Sequence, residues 1–128
     1  MSPELLGSER FGLEGSRPTR QSDCYALGMT IYEVLGGEVP FASNVDPVVI
    51  RKVLDGERPE RPQGDKGKLF TGAIWGLLEL CWRPQPSDRP SVKAVLLGLE
   101  ANPLLISDPP KPVSGTFFVF HLEHWACV

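Results

Sequence analysis

Three side chains near the C-terminal end of the chain are of the types that bind zinc. His121, His124 and Cys127 stand three residues apart, and on a helix that spacing would place imidazole and thiolate groups on one face. A structural zinc site takes four ligands, and this segment offers no evident fourth. The other cysteines, Cys24 and Cys81, form no CxxC pair. We therefore predict no metal site and read the three cysteines as the reduced thiols of a cytoplasmic protein.

A stretch rich in glycine and lysine, residues 64–68, looks superficially like a phosphate-binding loop. The Walker A sequence G-x-x-x-x-G-K-[ST] needs its first glycine where this chain has Pro62, and a hydroxyl where Leu69 follows Lys68. Both histidines lie in the last eight residues, so the rest of the chain has no imidazole for a Ser-His-Asp triad. We predict no catalytic and no cofactor-binding residue in this chain.

The length of the chain limits it to one domain at most, and its composition is that of a globular protein. The chain has 128 residues, of which 41% are hydrophobic, and a net charge of −3 with acids and bases intermixed. The chain has no stripe of basic residues that would indicate nucleic-acid binding. The first six residues lack the basic and apolar parts of a signal peptide, and no apolar run reaches the roughly 18 residues of a membrane-spanning helix. We expect neither nucleic acid nor membrane as a partner.

A central helix is predicted at residues 23–35, after a loop-like region at residues 1–22. Several glycines and a proline interrupt any helical period in that region. Ser22 or Asp23 is the expected N-cap, and Gly36-Gly37 ends the helix. Its apolar residues cover almost every face, which indicates a buried helix.

Three further helices follow in the prediction. Asp46 is the expected N-cap of the first, with Pro47 at the first helical position. Residues 68–82 have the longest amphipathic pattern, and Ser91 is the expected N-cap of the last helix. The fold class is therefore mainly α, with about four helices around a buried central one. Residues 102–128 are broken by prolines and contain an apolar run of strand-forming residues, Phe117–Phe120, whose place in the domain the pattern does not define.

Several motifs, in the right order, resemble the C-terminal lobe of protein kinases. Residues 22–34 are similar to the family's S-D-V-Y-S-F-G helix, and residues 80–91 to its C-W-x-x-x-P-x-x-R-P-S stretch, a form typical of tyrosine and tyrosine-kinase-like kinases. Residues 1–4 resemble the A-P-E motif that closes the activation segment, with Ser2 in place of alanine. Pro40-Phe41 and residues 58–62 match the family's P-F and R-P-x-x-P segments. The resemblance covers residues 1–101, a partial kinase domain, and leaves residues 102–128 as a tail of uncertain structure.

The resemblance implies structural roles for four residues. Glu4 and Arg89 resemble the ion pair that ties the activation segment to the lobe; the alternative is two unrelated exposed charges. Asp23 resembles the aspartate that holds the backbone of the catalytic loop; the alternative is an ordinary helix cap. Trp82 resembles the tryptophan packed near that arginine, which is also what a core aromatic would do. The helix at residues 46–55 resembles a docking region for substrates and regulators, although we favour the simpler interpretation that its charges form a solvated polar face.

The parts that perform phosphoryl transfer are not in this sequence. The family uses a glycine-rich loop, a strand lysine, an H-R-D-x-x-x-x-N loop and a D-F-G metal site, and none occurs here. ATP and Mg²⁺ are thus implied only for a complete family member. The simplest expectation is a truncated gene model, a partial protein or a remnant.

Two functions remain open at the sequence level. One is a catalytically incompetent fragment of an ATP-dependent signalling kinase that modifies Ser, Thr or Tyr hydroxyls of proteins. The other is a shortened kinase-like interaction module, which would expose a large apolar patch unless a partner covered it.

Overall fold

Five α-helices joined by ordered loops make up residues 1–105, the part of the chain that this computed structural model describes. They are α1 (Pro3–Leu6), α2 (Arg20–Gly36), α3 (Asp46–Leu54), α4 (Gly72–Cys81) and α5 (Val92–Glu100). Short 3-10 turns lie at Ser8–Phe11, Gly64–Gly67 and Pro86–Asp88. No strand occurs within residues 1–105, and the predicted mainly α fold class is confirmed.

The first 22 residues are more ordered than their glycines suggested. Pro3 opens α1, because its fixed backbone angle suits the first helical turn and its missing N–H needs no partner there. The N–H of Gly7 then closes the turn on the carbonyl of Pro3. The prediction of a loop throughout this region was therefore wrong for residues 3–11, where single helical turns form.

A reciprocal cap places the start of α2 earlier than predicted. The Thr19 hydroxyl accepts a hydrogen bond from the Ser22 N–H at 3.1 Å, and the Ser22 hydroxyl accepts one from the Thr19 N–H at 2.8 Å. Ser22 and Asp23 are therefore inside the helix, and the prediction that either is the N-cap was wrong. At the other end, Gly37 adopts φ 71°, a left-handed conformation that favours glycine, and ends the helix as expected.

Within residues 1–105, α2 is buried on one side and open on the other. Cys24, Tyr25 and Gly28 are buried against α4 and its neighbours, whereas the side of the helix that carries Asp23 and Val34 faces outward. Val34 is 74% exposed. The expected burial on almost every face therefore holds for one side only, because no described element packs on the other.

The remaining helices differ from the prediction mainly at their first residues. The N-cap of α3 is Val45, which has no capping side chain, and Asp46 is already helical. The helix α4 is shorter than residues 68–82, since Thr71 caps it by accepting the Ile74 N–H at 3.3 Å. The predicted N-cap of α5 is confirmed: the Ser91 hydroxyl accepts the Ala94 N–H at 3.1 Å.

The core is centred on α4, which packs against α2 and α5. Aromatic rings form a chain through it, with centroids 5.4 to 6.1 Å apart in the pairs Tyr32–Phe70, Phe70–Trp75, Trp75–Trp82 and Tyr32–Trp82. Gly28 lets α2 approach this cluster closely, because a Cβ there would stand 2.7 Å from Trp82 Nε1 and 2.8 Å from the Cβ of Cys81. This contact positions the end of α4 and the loop that follows it.

Two predictions fall outside the described residues: the strand-like run at Phe117–Phe120 and the trio His121, His124 and Cys127. Among residues 1–105 there is no helix whose length and apolar character would let it cross a bilayer.

Candidate functional site

The centre of the candidate site is a buried ion pair between the two ends of the domain. Arg89 Nη1 donates to Glu4 Oε1 at 2.7 Å, and Nη2 donates to Oε2 at 2.9 Å. The side chains are 0% and 3% exposed, respectively. This two-point geometry is the strongest form of a guanidinium–carboxylate contact. It joins α1 to the segment just before α5, over 85 positions of sequence.

The remaining donors of Arg89 also find acceptors, so its charge is fully solvated by protein. Nε donates to the Arg83 carbonyl at 2.9 Å, Nη1 to the Gln21 carbonyl at 2.9 Å, and Nη2 to the Pro84 carbonyl at 3.3 Å. A guanidinium has five N–H donors, and all five are used. Arg89 therefore fixes α1, the first turn of α2 and the 83–84 loop in one arrangement.

The Glu4 carboxylate is held in its charged form. Burial alone would raise its pKa, but hydrogen bonds from Arg89 and the local backbone, with the charge of Arg89, outweigh that effect and lower the pKa below its ordinary value of 4.5. Glu4 is therefore ionised near neutral pH, and the pair is charged on both sides.

Tyr25 lies beside the ion pair and was not singled out from the sequence. Its ring centroid is 5.1 Å from Arg89 Cζ and 5.3 Å from Arg58 Cζ, within the range of cation–π attraction. The side chain is fully buried, and burial raises the pKa of its hydroxyl. Tyr25 thus stays neutral and supplies an aromatic surface for two cations.

Arg58 is a second connector that the sequence indicated only as part of a proline-containing segment. Its Nε donates to the Trp82 carbonyl at 2.8 Å, and its Nη1 donates to the Val53 and Glu57 carbonyls at 3.4 and 2.8 Å. Arg58 therefore ties the extended segment after α3 to the end of α4. The arginine itself was visible in the sequence, but its carbonyl partners could not be read from residue types.

The four residues singled out from the sequence occupy distinct places. Glu4 and Arg89 meet, and the Trp82 ring is buried against Gly28, directly before the 83–84 loop that Arg89 binds. Asp23 stands apart from them, exposed in the first turn of α2. A carboxylate at that position is favourable to the helix dipole and remains open to groups outside the described residues.

A cleft lies between the loop that joins α2 to α3 and the segment that follows α3. It encloses about 610 Å³, and Tyr32, Phe41, Lys52 and Glu60 are among the residues that line it. Phe41 has φ 60°, a left-handed conformation that costs energy for a side chain of this size. The cleft combines opposite charges around an aromatic ring, without a nucleophile hydrogen-bonded to a base in the described residues.

Metal chemistry is also not indicated in the described part of the chain, where no group of three or more His, Cys, Asp or Glu side chains could hold an ion. The arrangement around Arg89 is built to hold segments together. It positions the 1–7 segment and the first turn of α2 relative to the core.

Comparison with known proteins shows which family this chain belongs to. The sequence model of the family described as protein tyrosine and serine/threonine kinase matches residues 1–99. Serine/threonine-protein kinase mos of Patiria pectinifera is 35% identical over 77% of this chain and 25% of that protein. Inactive tyrosine-protein kinase 7 of Mus musculus is 34% identical over 80% of this chain and 9% of that protein. Light-sensor Protein kinase of Ceratodon purpureus is 40% identical over 74% of this chain and 8% of that protein.

The match extends over most of this chain but spans a quarter or less of the length of these relatives. It covers Glu4, Asp23, Trp82 and Arg89, and with them all five described helices except the last residue of α5. The chain belongs to the protein tyrosine and serine/threonine kinase family and represents part of the helical C-terminal lobe of the family's kinase domain.

Proposed function

We propose that residues 1–101 form the closing part of a protein kinase domain, from the end of the activation segment to the last helix of the C-terminal lobe. In this proposal the chain is a scaffold for phosphoryl transfer from ATP to protein hydroxyl groups. The residues that hold ATP and Mg²⁺ come from polypeptide outside these 128 residues, and the chain alone is catalytically incompetent.

The observation that carries the proposal is the buried Glu4–Arg89 pair. Phosphoryl transfer depends on positioning the acceptor relative to the nucleotide, and the segment that ends at Glu4 adjoins that region in the family resemblance. Two hydrogen bonds from Arg89 hold Glu4, and three more hold Arg89 itself on backbone carbonyls of the lobe. In the proposal, this rigid anchor fixes the end of the activation segment beside the catalytic loop.

The open side of α2 supports the same proposal. Asp23 is exposed at the start of this side and Val34 near its end. In this proposal Asp23 accepts hydrogen bonds from backbone N–H groups of a catalytic loop, and Val34 packs against a further helix. We propose that this side of α2 is where the rest of the kinase domain packs.

The relatives carry names of both serine/threonine and tyrosine kinases, so we propose protein substrates without assigning the hydroxyl. We further propose a cytoplasmic setting, in keeping with the two thiols Cys24 and Cys81, which are unpaired in the structure. Fractionation of cells producing the tagged full-length protein tests this; recovery from the secretory fraction would contradict it.

The proposal of incompetence is tested on the 128-residue chain itself. The purified chain is incubated with Mg²⁺ and ATP labelled in the γ-phosphate, with myelin basic protein and a Glu/Tyr copolymer as acceptors, beside an active kinase as positive control. We expect no label above the level without enzyme and no binding of a fluorescent ATP analogue. Label transfer that increases with the amount of chain and persists through a second purification would contradict the proposal.

A further inference from the structure

Two buried cysteines lie at the contact between α2 and α4. Cys24 lies on α2 and Cys81 is the last residue of α4, and both are fully buried. Both are unpaired in the structure. The ion-pair scaffold described above does not use either of them.

The backbones approach closely at this point. Gly28 is one helical turn after Cys24, on the same face of α2, and a Cβ on Gly28 would lie 2.8 Å from the Cβ of Cys81. The side chain of Cys81 therefore rests on the α2 surface that also carries Cys24. The two thiols are close enough to affect each other's pKa.

Residue 24 is one of the positions at which α2 departs from the family pattern. The S-D-V-Y sequence of the kinase resemblance has valine where this chain has Cys24, whereas Cys81 belongs to the matched C-W pair. Valine and cysteine both suit a buried apolar position. The packing of the helix therefore does not require a thiol here, but the thiol gives Cys81 a possible reaction partner.

We propose that Cys24 and Cys81 form a dithiol redox site, which a small disulfide oxidant such as oxidised glutathione converts into a reversible disulfide between α2 and α4. One cysteine thiolate attacks a sulfur of the oxidant, the S–S bond of the oxidant breaks, and one glutathione thiolate leaves. The second cysteine thiolate attacks the mixed disulfide and releases the second glutathione thiolate. Two electrons pass from the cysteines to glutathione, and the two thiol protons end on the released glutathione or in solvent.

Burial determines how the reaction proceeds. Burial raises the pKa of the Cys24 thiol, and burial together with the neighbouring Cys24 raises the pKa of Cys81 to about 12. The closed fold therefore protects both thiols, and the attack occurs when the end of α4 separates transiently from α2. The disulfide then locks the two helices and favours the folded state.

The test uses the full chain carrying Cys127→Ser, which removes the third thiol. The folded protein is incubated with oxidised glutathione at mildly alkaline pH, quenched with acid and analysed by intact mass, non-reducing peptide mapping and thermal unfolding. We expect the mass of two hydrogens to be lost and a cross-linked peptide joining Cys24 to Cys81. The thermal midpoint rises by roughly 10 °C and returns on reduction with dithiothreitol.

The matched control adds Cys24→Val to the same background. It keeps an apolar residue at position 24, and we expect neither the cross-link nor the rise in thermal midpoint after the same treatment. The proposal is overturned if, in the folded Cys127→Ser protein, both thiols stay free or each carries a separate glutathione. It is equally overturned if the cross-link appears only when denaturant is present during oxidation. These results are read from the Cys127→Ser protein, so the proposal stays testable even if the valine variant folds poorly.

Discussion

The Glu4 carboxylate receives two hydrogen bonds from the Arg89 guanidinium, at 2.7 and 2.9 Å, inside a site that excludes water from both side chains. The other three donors of Arg89 bind backbone carbonyls of the α2 start and of the 83–84 loop. The contact is therefore a junction of three chain segments. Its energetic consequence is asymmetric: removing one partner leaves the other charge buried with unmet hydrogen bonds.

Replacement of Arg89 by alanine should therefore strongly destabilise the domain. We expect a loss of about 3–5 kcal/mol in the free energy of unfolding, because the Glu4 charge stays buried without its partner. Urea unfolding followed by tryptophan fluorescence and by circular dichroism measures the loss.

The matched control is Arg10→Ala, which removes an exposed ion pair. Arg10 Nη1 lies 3.8 Å from Asp55 Oδ1, and both side chains are more than half exposed. We expect a change within about 0.5 kcal/mol. An equal loss in the free energy of unfolding for Arg89→Ala and Arg10→Ala would show that the buried pair stabilises the domain no more than the exposed one.

The same pair predicts how stability depends on pH. The pKa of Glu4 is lower in the folded protein than its ordinary value of 4.5, so the folded state favours the ionised carboxylate. This contribution is fully present above pH 4.5 and is lost as the pH falls through the lower, folded-state pKa. We expect the free energy of unfolding to fall on acidification below about pH 4.5, and to fall less steeply in Glu4→Gln. Parallel pH curves for the two proteins would contradict this assignment.

Two helical glycines should respond to alanine in opposite directions. In Gly28→Ala the new Cβ would overlap Trp82 and Cys81, and we expect a loss of about 1–3 kcal/mol from overpacking. In Gly76→Ala no atom lies within 4 Å of the added Cβ, and the better helix propensity of alanine should stabilise the protein by about 0.5–1 kcal/mol. Thermal unfolding of both variants distinguishes the effects, and stabilisation by Gly28→Ala would argue against the close α2–α4 approach.

The N-cap of α5 gives a smaller, local prediction. The Ser91 hydroxyl accepts the Ala94 N–H at 3.1 Å, and Ser91→Ala leaves that donor without its capping acceptor. We expect a loss of about 1 kcal/mol, against almost no change for Ser87→Ala at an exposed position before the helix. Denaturant midpoints with unchanged slopes give both values, and equal midpoints for the two variants would exclude the cap.

Local signals in the sequence predicted much of the fold. Gly37 as a helix stop and Ser91 as a helix start are properties of single residues, and the structure has both. The start of α2 was predicted three residues too late, because the Thr19–Ser22 reciprocal cap uses serine where the usual pattern has Glu or Gln. The helix α1 was missed, since one turn opened by Pro3 has no periodicity to detect.

The site was predictable only where a motif linked distant residues. Glu4 and Arg89 lie 85 positions apart, and no periodicity relates them; the family resemblance alone suggested that they meet. The roles of Tyr25 and Arg58 were not predicted, because both depend on three-dimensional neighbours: two guanidinium groups over one ring and backbone carbonyls at the end of α4. Residue types cannot specify such partners before the chain is folded.

The central claim is that this lobe works with kinase motifs encoded outside these 128 residues, and the full-length transcript tests it most directly. The transcript is sequenced across the 5′ side of the Met1 codon and translated in the same frame. We predict an open frame that continues through D-F-G and H-R-D-x-x-x-x-N motifs and a glycine-rich loop. A transcript that starts translation at Met1, with a product detected at the 14.1 kDa of this chain, would contradict the claim and leave a kinase-like interaction module as the function.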